Sequence, residues 1–180
     1  MIFIRCLIPD MWITIFDMLP IRELWRLSQT CSMMKALVEK YKQSAFNFPE
    51  LLWPFIHSND VNSFREMLHV TGGIISGSVA LQYLERVRFA SSDLDVYVFQ
   101  EKQVDAVKWL ESHGLTRMTF NKDVDVSEEY DVLEDVESVE SFLVPDSSNI
   151  VQIISTKRNP VIAILKFHSC TLLKSFLKCV

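Results

Sequence analysis

The stretch from residue 93 to residue 100 constrains the fold more than any other part of this chain. It reads D-L-D-V-Y-V-F-Q, so apolar residues occupy both faces of an extended strand beyond its first acids. Because successive side chains of a strand point to opposite faces, other elements must cover both faces of this one. The pattern predicts an interior strand of a covered sheet, with Asp93 and Asp95 leaving one face together at its N-terminal end.

The segment before this strand predicts a second ligand-binding feature, a turn into a helix, next to the two aspartates. The string V-T-G-G-I-I-S-G-S-V-A-L-Q-Y-L is typical of a short apolar strand, a sharp turn and an apolar helix, and Gly77 supplies the residue without a Cβ that the turn needs. Backbone N–H groups at a helix start attract phosphate, and two carboxylates on one strand face can hold Mg²⁺. Together they would suit the metal-bound tail of a nucleoside triphosphate.

A structural role for the two acids is the alternative interpretation. Acids at the start of a strand often cap the preceding turn, and Ser91 and Ser92 make such a turn plausible here. Metal or phosphate binding and turn capping therefore both stay open for Asp93 and Asp95.

The two strings resemble the signature of the DNA-polymerase-beta-like nucleotidyltransferase superfamily, in which Gly-Ser at a helix start precedes a strand with Asp-x-Asp. The resemblance extends from about residue 70 to residue 155. It implies that Gly77 and Ser78 cradle the phosphates of a nucleoside triphosphate and that Asp93 and Asp95 bind Mg²⁺. The wording S-D-L-D-V-Y-V, with I-V-Q-I-I-S and F-H-S-C, is also similar to proteins of unassigned activity from mushroom-forming fungi.

One position departs from that superfamily. Its last catalytic carboxylate stands mid-strand between apolar residues, whereas the matching string N-I-V-Q-I-I-S has Gln152 there. Glutamine is neither a base nor an anionic ligand. The departure implies a nucleotidyltransferase fold with impaired or lost catalysis that acts as a binding module. The alternative is an active Mg²⁺-dependent enzyme that moves a nucleotidyl group to a hydroxyl, with Asp123, Asp125 or Asp146 as the third carboxylate.

The N-terminal region has a different character, because residues 8–41 predict three short helices interrupted by prolines. The apolar residues that recur there at helical spacing are Met11, Ile15, Met18, Leu19, Leu24, Leu27 and Cys31. Three short amphipathic helices bury little by themselves. Such a module needs the following domain or another protein to cover its apolar face.

The string from Ile8 to Val38 resembles an F-box, although Ile8 stands where that family usually has Leu and Met34 where it has Trp. The resemblance implies docking to the small adaptor subunit of cullin-RING ubiquitin ligases. The residues that the resemblance assigns to this contact are Pro9, Ile15, Leu19, Pro20 and Leu24. The alternative is a helical cap on the second domain.

These patterns predict an α+β protein in two parts. We expect an F-box-like helical module at residues 1–48, a linker at 49–58, and a mixed β-sheet flanked by helices at 59–180. In the second part we predict helices at 59–69, capped by Asn59 or Asp60, and at 103–113, ending at Gly114. A hairpin at 141–144 and 149–155 precedes a terminal helix that Asn159 and Pro160 open.

The net charge of −5 is unevenly distributed. Residues 123–146 contain ten acids and neither Lys nor Arg, whereas the rest of the chain has 18 basic and 13 acidic residues. The basic surplus of the rest of the chain could contact phosphate. A local acidic block is typical of a solvated loop or of a binding site for a basic partner. Charge alone leaves nucleic-acid binding undecided.

Cysteine usage and hydropathy favour an intracellular protein, in the cytoplasm or the nucleus. The four cysteines form neither a C-x-x-C pair nor a zinc-ligand spacing. Charges interrupt both apolar runs that could have been a signal peptide or a membrane span. We therefore expect folded protein at both ends and no membrane partner.

Overall fold

The computed structural model describes residues 7–118 and 135–166. The helices are α1 (Pro9–Asp17), α2 (Ile21–Ser28), α3 (Ser32–Ala45), α4 (Phe48–Leu52), α5 (Val61–Thr71), α6 (Gly77–Glu85), α7 (Gln103–Ser112) and α8 (Pro160–Leu165). The strands are β1 (Ile74–Ser76), β2 (Leu94–Phe99), β3 (Thr116–Arg117), β4 (Val136–Leu143) and β5 (Ile150–Thr156). The predicted α+β class is confirmed.

The five strands form one mixed sheet in the order β1-β2-β5-β4-β3. Strand β2 pairs parallel with β5, and the other three pairings are antiparallel. A parallel pair requires a crossover connection, and the chain makes it through α7, β3 and β4 between β2 and β5. Strand β2 is thus an interior strand, as its sequence predicts.

Both faces of β2 are covered, which confirms the reason given for its apolar composition. Leu94, Val96 and Val98 are fully buried in the main core, against apolar side chains of α5 and α7. On the opposite face Tyr97 packs in a smaller cluster with Ile154 of β5 and Ile164 of α8. The two acids therefore leave a strand whose remaining length is locked in place from both sides.

The N-terminal helices bury a separate apolar cluster. Phe16, Leu24, Val38 and Tyr41 form it, with Trp12 packed against them. Tyr41 packs edge-on to Phe16, with ring centroids 5.3 Å apart. We call residues 9–45, which contain α1, α2 and α3, the helical module, and its three helices match the predicted ones.

The predicted linker at 49–58 is a packed segment, and its boundaries and those of the two parts stay predictions. Residues 49–58 include most of α4, whose Leu51 and Leu52 are buried in the main core together with Phe55 and Ile56. Pro49 lies in the first turn of α4, a position that suits proline, and Pro54 follows the residue that ends the helix. The segment therefore packs against the main core.

The acidic segment also needs a correction where it is described. Residues 136–140 belong to β4, which begins five residues before the predicted strand, and are not a solvated loop. Asp135 is buried and pairs with Lys166 and, at 3.6 Å, with Arg158. Glu140 pairs with Arg117 at 2.8 Å. Basic residues distant in sequence neutralise these acids, so composition alone misjudged their surroundings.

The predicted helix starts were partly right. Asn159 accepts a hydrogen bond from the N–H of Val161 and caps α8 as expected. Neither Asn59 nor Asp60 caps α5 through its side chain, because both lie in a 3₁₀ turn that precedes it. Gly114 follows α7 with φ of 87°, as the helix-ending pattern predicts.

Candidate functional site

The helical module exposes an apolar stripe that its own fold leaves uncovered. On α1 the side chains of Trp12 and Phe16 turn inward, about 100° around the helix from Met11 and Ile15. Met11 is 49% exposed, Ile15 36% and Met18, just past the end of α1, 80%. We call Met11, Ile15 and Met18 the α1 stripe. The helical spacing predicted all three residues as part of the apolar face that the following domain or another protein must cover.

The residues assigned to partner contact separate into two groups. Ile15 belongs to the α1 stripe, and Pro20 is an exposed residue at the start of α2. Leu24 is fully buried in the module core and Leu19 packs against it, and the assignment of both to partner contact stays a prediction. Of Pro9 the structure gives its place as the first residue of α1. Periodicity marks apolar residues without telling which of two stripes turns inward.

Trp25 on α2 is a surface residue that the sequence reasoning missed. Its side chain is 59% exposed. Its neighbour in sequence, Leu24, occupies the module core instead. The sequence signal for its exposure is that Trp25 lies one residue after Leu24 and so falls outside the helical spacing of Leu24 and Leu27.

One arginine ties the helical module to the sheet region, and nothing in the sequence pointed to it. Arg86 follows α6 in the left-handed conformation, with φ of 55°. Its guanidinium donates hydrogen bonds to the carbonyls of Phe16, at 2.9 Å, and of Leu19. It also donates to the Tyr41 hydroxyl at 2.9 Å. A cation at the C-terminal end of α1 is favoured by the helix dipole.

The hydroxyl of Tyr41 completes this joint. It donates a hydrogen bond of 2.6 Å to Asp17, the last residue of α1. Burial, with the hydrogen bond to Asp17 as the next cause, raises the pKa of Tyr41 to about 12. The hydroxyl therefore stays protonated and keeps donating over the physiological pH range.

The second candidate site lies at the start of α6, where Gly77 meets Asp95. Gly77 has φ of 67°, and a Cβ built on it would lie 3.0 Å from Asp95 Cγ and overlap the carboxylate oxygen. The turn therefore needs glycine for two reasons, its backbone conformation and the nearness of the acid. The pairing of Ser76 with Asp95 across β1 and β2 sets this approach.

The surroundings of Asp95 disfavour its charge. Burial, and next the nearby charge of Asp93, raise the pKa of Asp95 to about 7. Asp93 itself is exposed, and its carbonyl accepts a weak hydrogen bond of 3.4 Å from Ser78. Gln82 of α6 holds the connecting loop through Ser92, at 2.9 Å, and through the N–H of Phe89.

Gln152 stands directly beside Asp95. The two residues are partners across the parallel pair of β2 and β5, and neighbouring strands lie about 4.8 Å apart. Ser141 of β4 pairs with Gln152 on its other side. A polar row, Ser76, Asp95, Gln152 and Ser141, thus crosses four strands beside the apolar cluster of Tyr97. The sequence predicted Gln152 for this row and missed Ser141.

Of the three other candidates for a third carboxylate, the structure describes Asp146. Asp123 and Asp125 lie outside the described residues. Asp146 is exposed in the turn between β4 and β5, with φ of 54°. Within residues 7–118 and 135–166 no group of three or more His, Cys, Asp or Glu side chains is placed to hold a metal.

Comparison with known families gives one match. The family model of the F-box domain matches residues 4–43 of this chain. Searches of the curated proteins and of the solved structures returned no match. The match supports the F-box resemblance and an adaptor or binding role, whereas the nucleotidyltransferase resemblance and the similarity to fungal proteins stay predictions.

No helix in the described part of the chain has the length and hydropathy to span a bilayer. The predicted localisation in the cytoplasm or the nucleus stays a prediction.

Proposed function

We propose that this protein is a binding subunit whose helical module docks on the small adaptor subunit of a cullin-RING ubiquitin ligase. The sheet region then presents a bound partner to that ligase. The observation that carries the proposal is the α1 stripe, on a module that matches the F-box family. Because the module already buries Phe16 and Leu24, its own folding does not need the stripe.

The composition of this surface supports a role in protein binding. Contiguous exposed apolar side chains on a small folded module mark an interaction surface. Methionine and tryptophan are enriched in the buried centres of protein interfaces. Met18 and Trp25, at 80% and 59% exposure, are the two most exposed of the large apolar side chains in the helical module.

A charge substitution on the α1 stripe tests the docking. Met11→Glu with Met18→Lys places an acid near the start of α1 and a base near its end, where the helix dipole favours each charge. We expect this double variant to bind the purified adaptor subunit at least ten-fold more weakly in calorimetry, with an unchanged melting temperature. Val104→Asp, on an equally exposed residue of α7, is the control and should bind like the parent.

Two results would overturn the docking proposal. One is the absence of any complex between the intact chain and the adaptor subunit at micromolar concentration. The other is parental affinity in the Met11→Glu, Met18→Lys double variant. Leu24 is unsuitable for this test because its buried side chain would make any loss of binding a loss of folding.

We propose, second, that the sheet region binds a Mg²⁺–nucleoside triphosphate without transferring its nucleotidyl group. The supporting observation is the missing Cβ at Gly77, which brings the first turn of α6 against the Asp95 carboxylate. The residues fit such a group, because carboxylate oxygens are hard ligands that suit Mg²⁺ and free N–H groups at a helix start suit phosphate.

In this proposal each residue has a definite task. Asp93 and Asp95 would hold the cation, which neutralises phosphate charge when bound, and Gly77 and Ser78 would contact the phosphates. Transfer would further need a group that takes the proton of an attacking hydroxyl, and the amide of Gln152, beside Asp95, has no such capacity. An active enzyme, the alternative, would need its third carboxylate from outside the described residues.

Thermal unfolding tests the nucleotide proposal. We expect Mg²⁺ with ATP to raise the melting temperature of the parent, and Asp93→Asn with Asp95→Asn to abolish this rise. Asp105→Asn, an exposed acid on α7, is the control and should keep it. Absence of a rise with any of the four Mg²⁺–nucleoside triphosphates would overturn the proposal, and release of pyrophosphate with an acceptor would favour the active enzyme instead.

A further inference from the structure

A cavity of about 440 Å³ lies between α4, α5, β1 and α6. It contains none of Gly77, Ser78, Asp93 or Asp95, and it is distant in sequence from the α1 stripe. Seven of its eight lining residues have apolar or aromatic side chains. Its volume lies within the range of about 300–1,000 Å³ that is typical of ligand sites.

Packed aromatic side chains fix the walls of the cavity in place. Tyr83 of α6 packs edge-on against Phe48, with ring centroids 6.0 Å apart and planes 86° apart. It also packs against Phe46 at 5.5 Å. Leu51 anchors the floor in the main core, whereas Phe48, Ile75 and Tyr83 keep part of their surface in solvent. The cavity is therefore a preformed site that is open from outside.

Arg65 on α5 gives the rim a positive charge. It is the one charged residue among those that line the cavity; it is exposed, and its guanidinium carbon lies over the Phe48 ring, 5.8 Å from the ring centroid. A smaller polar cavity adjoins, sharing Leu51 and Tyr83. Its Glu50 is already paired with Arg88 at 3.3 Å. The rim therefore offers guanidinium charge to a ligand without a competing free acid among its lining residues.

We propose that this cavity takes an apolar side chain of a partner polypeptide that carries an acidic residue beside it. The inference rests on the proposed function, because it names the partner that the sheet region would present. An apolar anchor buried in a preformed pocket supplies most of the affinity of such contacts. A guanidinium matches a carboxylate in geometry as well as charge, so Arg65 selects an acid next to the anchor.

Selection from a random heptapeptide library displayed on phage tests the inference on the full chain. The parent protein is expected to enrich peptides with a large apolar residue next to Asp or Glu. Ala80→Phe puts a ring into the cavity from α6, so the selected peptides should bind this variant at least ten-fold more weakly. Lys108→Glu, an exposed charge reversal on α7, should leave both selection and affinity unchanged.

Arg65→Glu gives the decisive measurement, because Arg65 is exposed and its replacement leaves the core intact. Selection on this variant should keep the apolar anchor and replace the acid by Lys or Arg. The inference is overturned if the parent enriches no peptide over the Ala80→Phe protein, or if Arg65→Glu keeps the acidic preference. Adaptor binding by Ala80→Phe, measured in parallel, separates this failure from failure of the docking proposal.

Discussion

At the scale of single residues, the pair of Gly77 and Asp95 carries the most specific geometry in the chain. The glycine combines a left-handed backbone with a carboxylate that leaves no room for a Cβ. The string I-I-S-G-S predicted the unusual backbone conformation of Gly77, since a strand that turns sharply into a helix needs a residue without a Cβ. The nearness of the carboxylate depends on the register that places Ser76 opposite Asp95, which no local pattern contains.

Replacing Gly77 separates the two effects. Gly77→Ala should cost about 3 kcal/mol of unfolding free energy, because it adds steric overlap with Asp95 to the roughly 1 kcal/mol of a left-handed alanine. Gly114→Ala is the matched control, since its φ is 87° and its nearest neighbour, Pro145, would lie 3.8 Å away. Urea denaturation measures both, and equal losses at the two positions would contradict the close approach of Asp95.

The pKa of Asp95 predicts a pH dependence of stability. Its value of about 7 in the folded protein lies above the ordinary 3.8, so the folded state binds a proton more tightly than the unfolded chain does. Stability is therefore lost as the pH rises from about 4 through 7. Asp95→Asn should remove this loss and stabilise the protein by about 2 kcal/mol at pH 8, with little effect at pH 4.

Melting curves of parent and Asp95→Asn across this pH range check the prediction. The gap between the two melting temperatures should open with rising pH. A gap of constant size would mean that the carboxylate of Asp95 is not desolvated.

At the scale of elements, helix α6 links the two regions of the molecule. Its first turn meets Asp95, and the residue after its end, Arg86, binds carbonyls at the end of α1. The amphipathic pattern predicted the helix, but not that an arginine would end it in a conformation that usually favours glycine. That ending turns the guanidinium towards the helical module.

Removing the guanidinium should show how much the joint contributes. Arg86→Met keeps the aliphatic stem but leaves the carbonyls of Phe16 and Leu19 and the Tyr41 hydroxyl without this donor. We expect a loss of about 3 kcal/mol in chemical denaturation. Arg88→Met removes only an exposed ion pair with Glu50 and should cost about 0.5 kcal/mol or less. Similar losses in the two variants would refute the special role of Arg86.

At the scale of the whole molecule, the two apolar clusters are formed by separate parts of the chain. The main core uses buried residues from Leu51 onward, whereas the module core uses residues up to Tyr41. Between them Phe46 and Phe48 pack against Tyr83. This arrangement favours a module that is attached firmly but is not needed to complete the core of the sheet.

Deleting residues 1–45 tests this division. We expect the remaining chain, from Phe46 onward, to unfold cooperatively at a lower melting temperature, because its core is complete but Arg86 loses its partners. Calorimetry and far-ultraviolet circular dichroism measure both properties. Loss of the cooperative transition would instead support the alternative that the helices cap the sheet and are needed for its folding.

The sequence by itself determined the features that depend on interactions between residues close together in the chain. Alternation and apolar content defined β2, helical spacing defined α1 to α3, and Gly77, Gly114 and Asn159 marked turns and a cap because each meets a backbone need of its own position. The same reasoning placed Gln152 on the strand that would complete the polar row. These features depend on residues within a few positions of one another.

The tertiary structure alone decided which surfaces are free and which acids are paired. Whether Met18 or Leu24 faces solvent depends on where α3 packs, and whether Asp135 is solvated depends on Lys166, thirty-one positions later in the chain. The meeting of Arg86 with α1 spans about seventy residues. Contacts between distant segments decide which side chains are buried and which charges are paired. The sequence pattern therefore shows which residues could be buried or paired, but not which of them are.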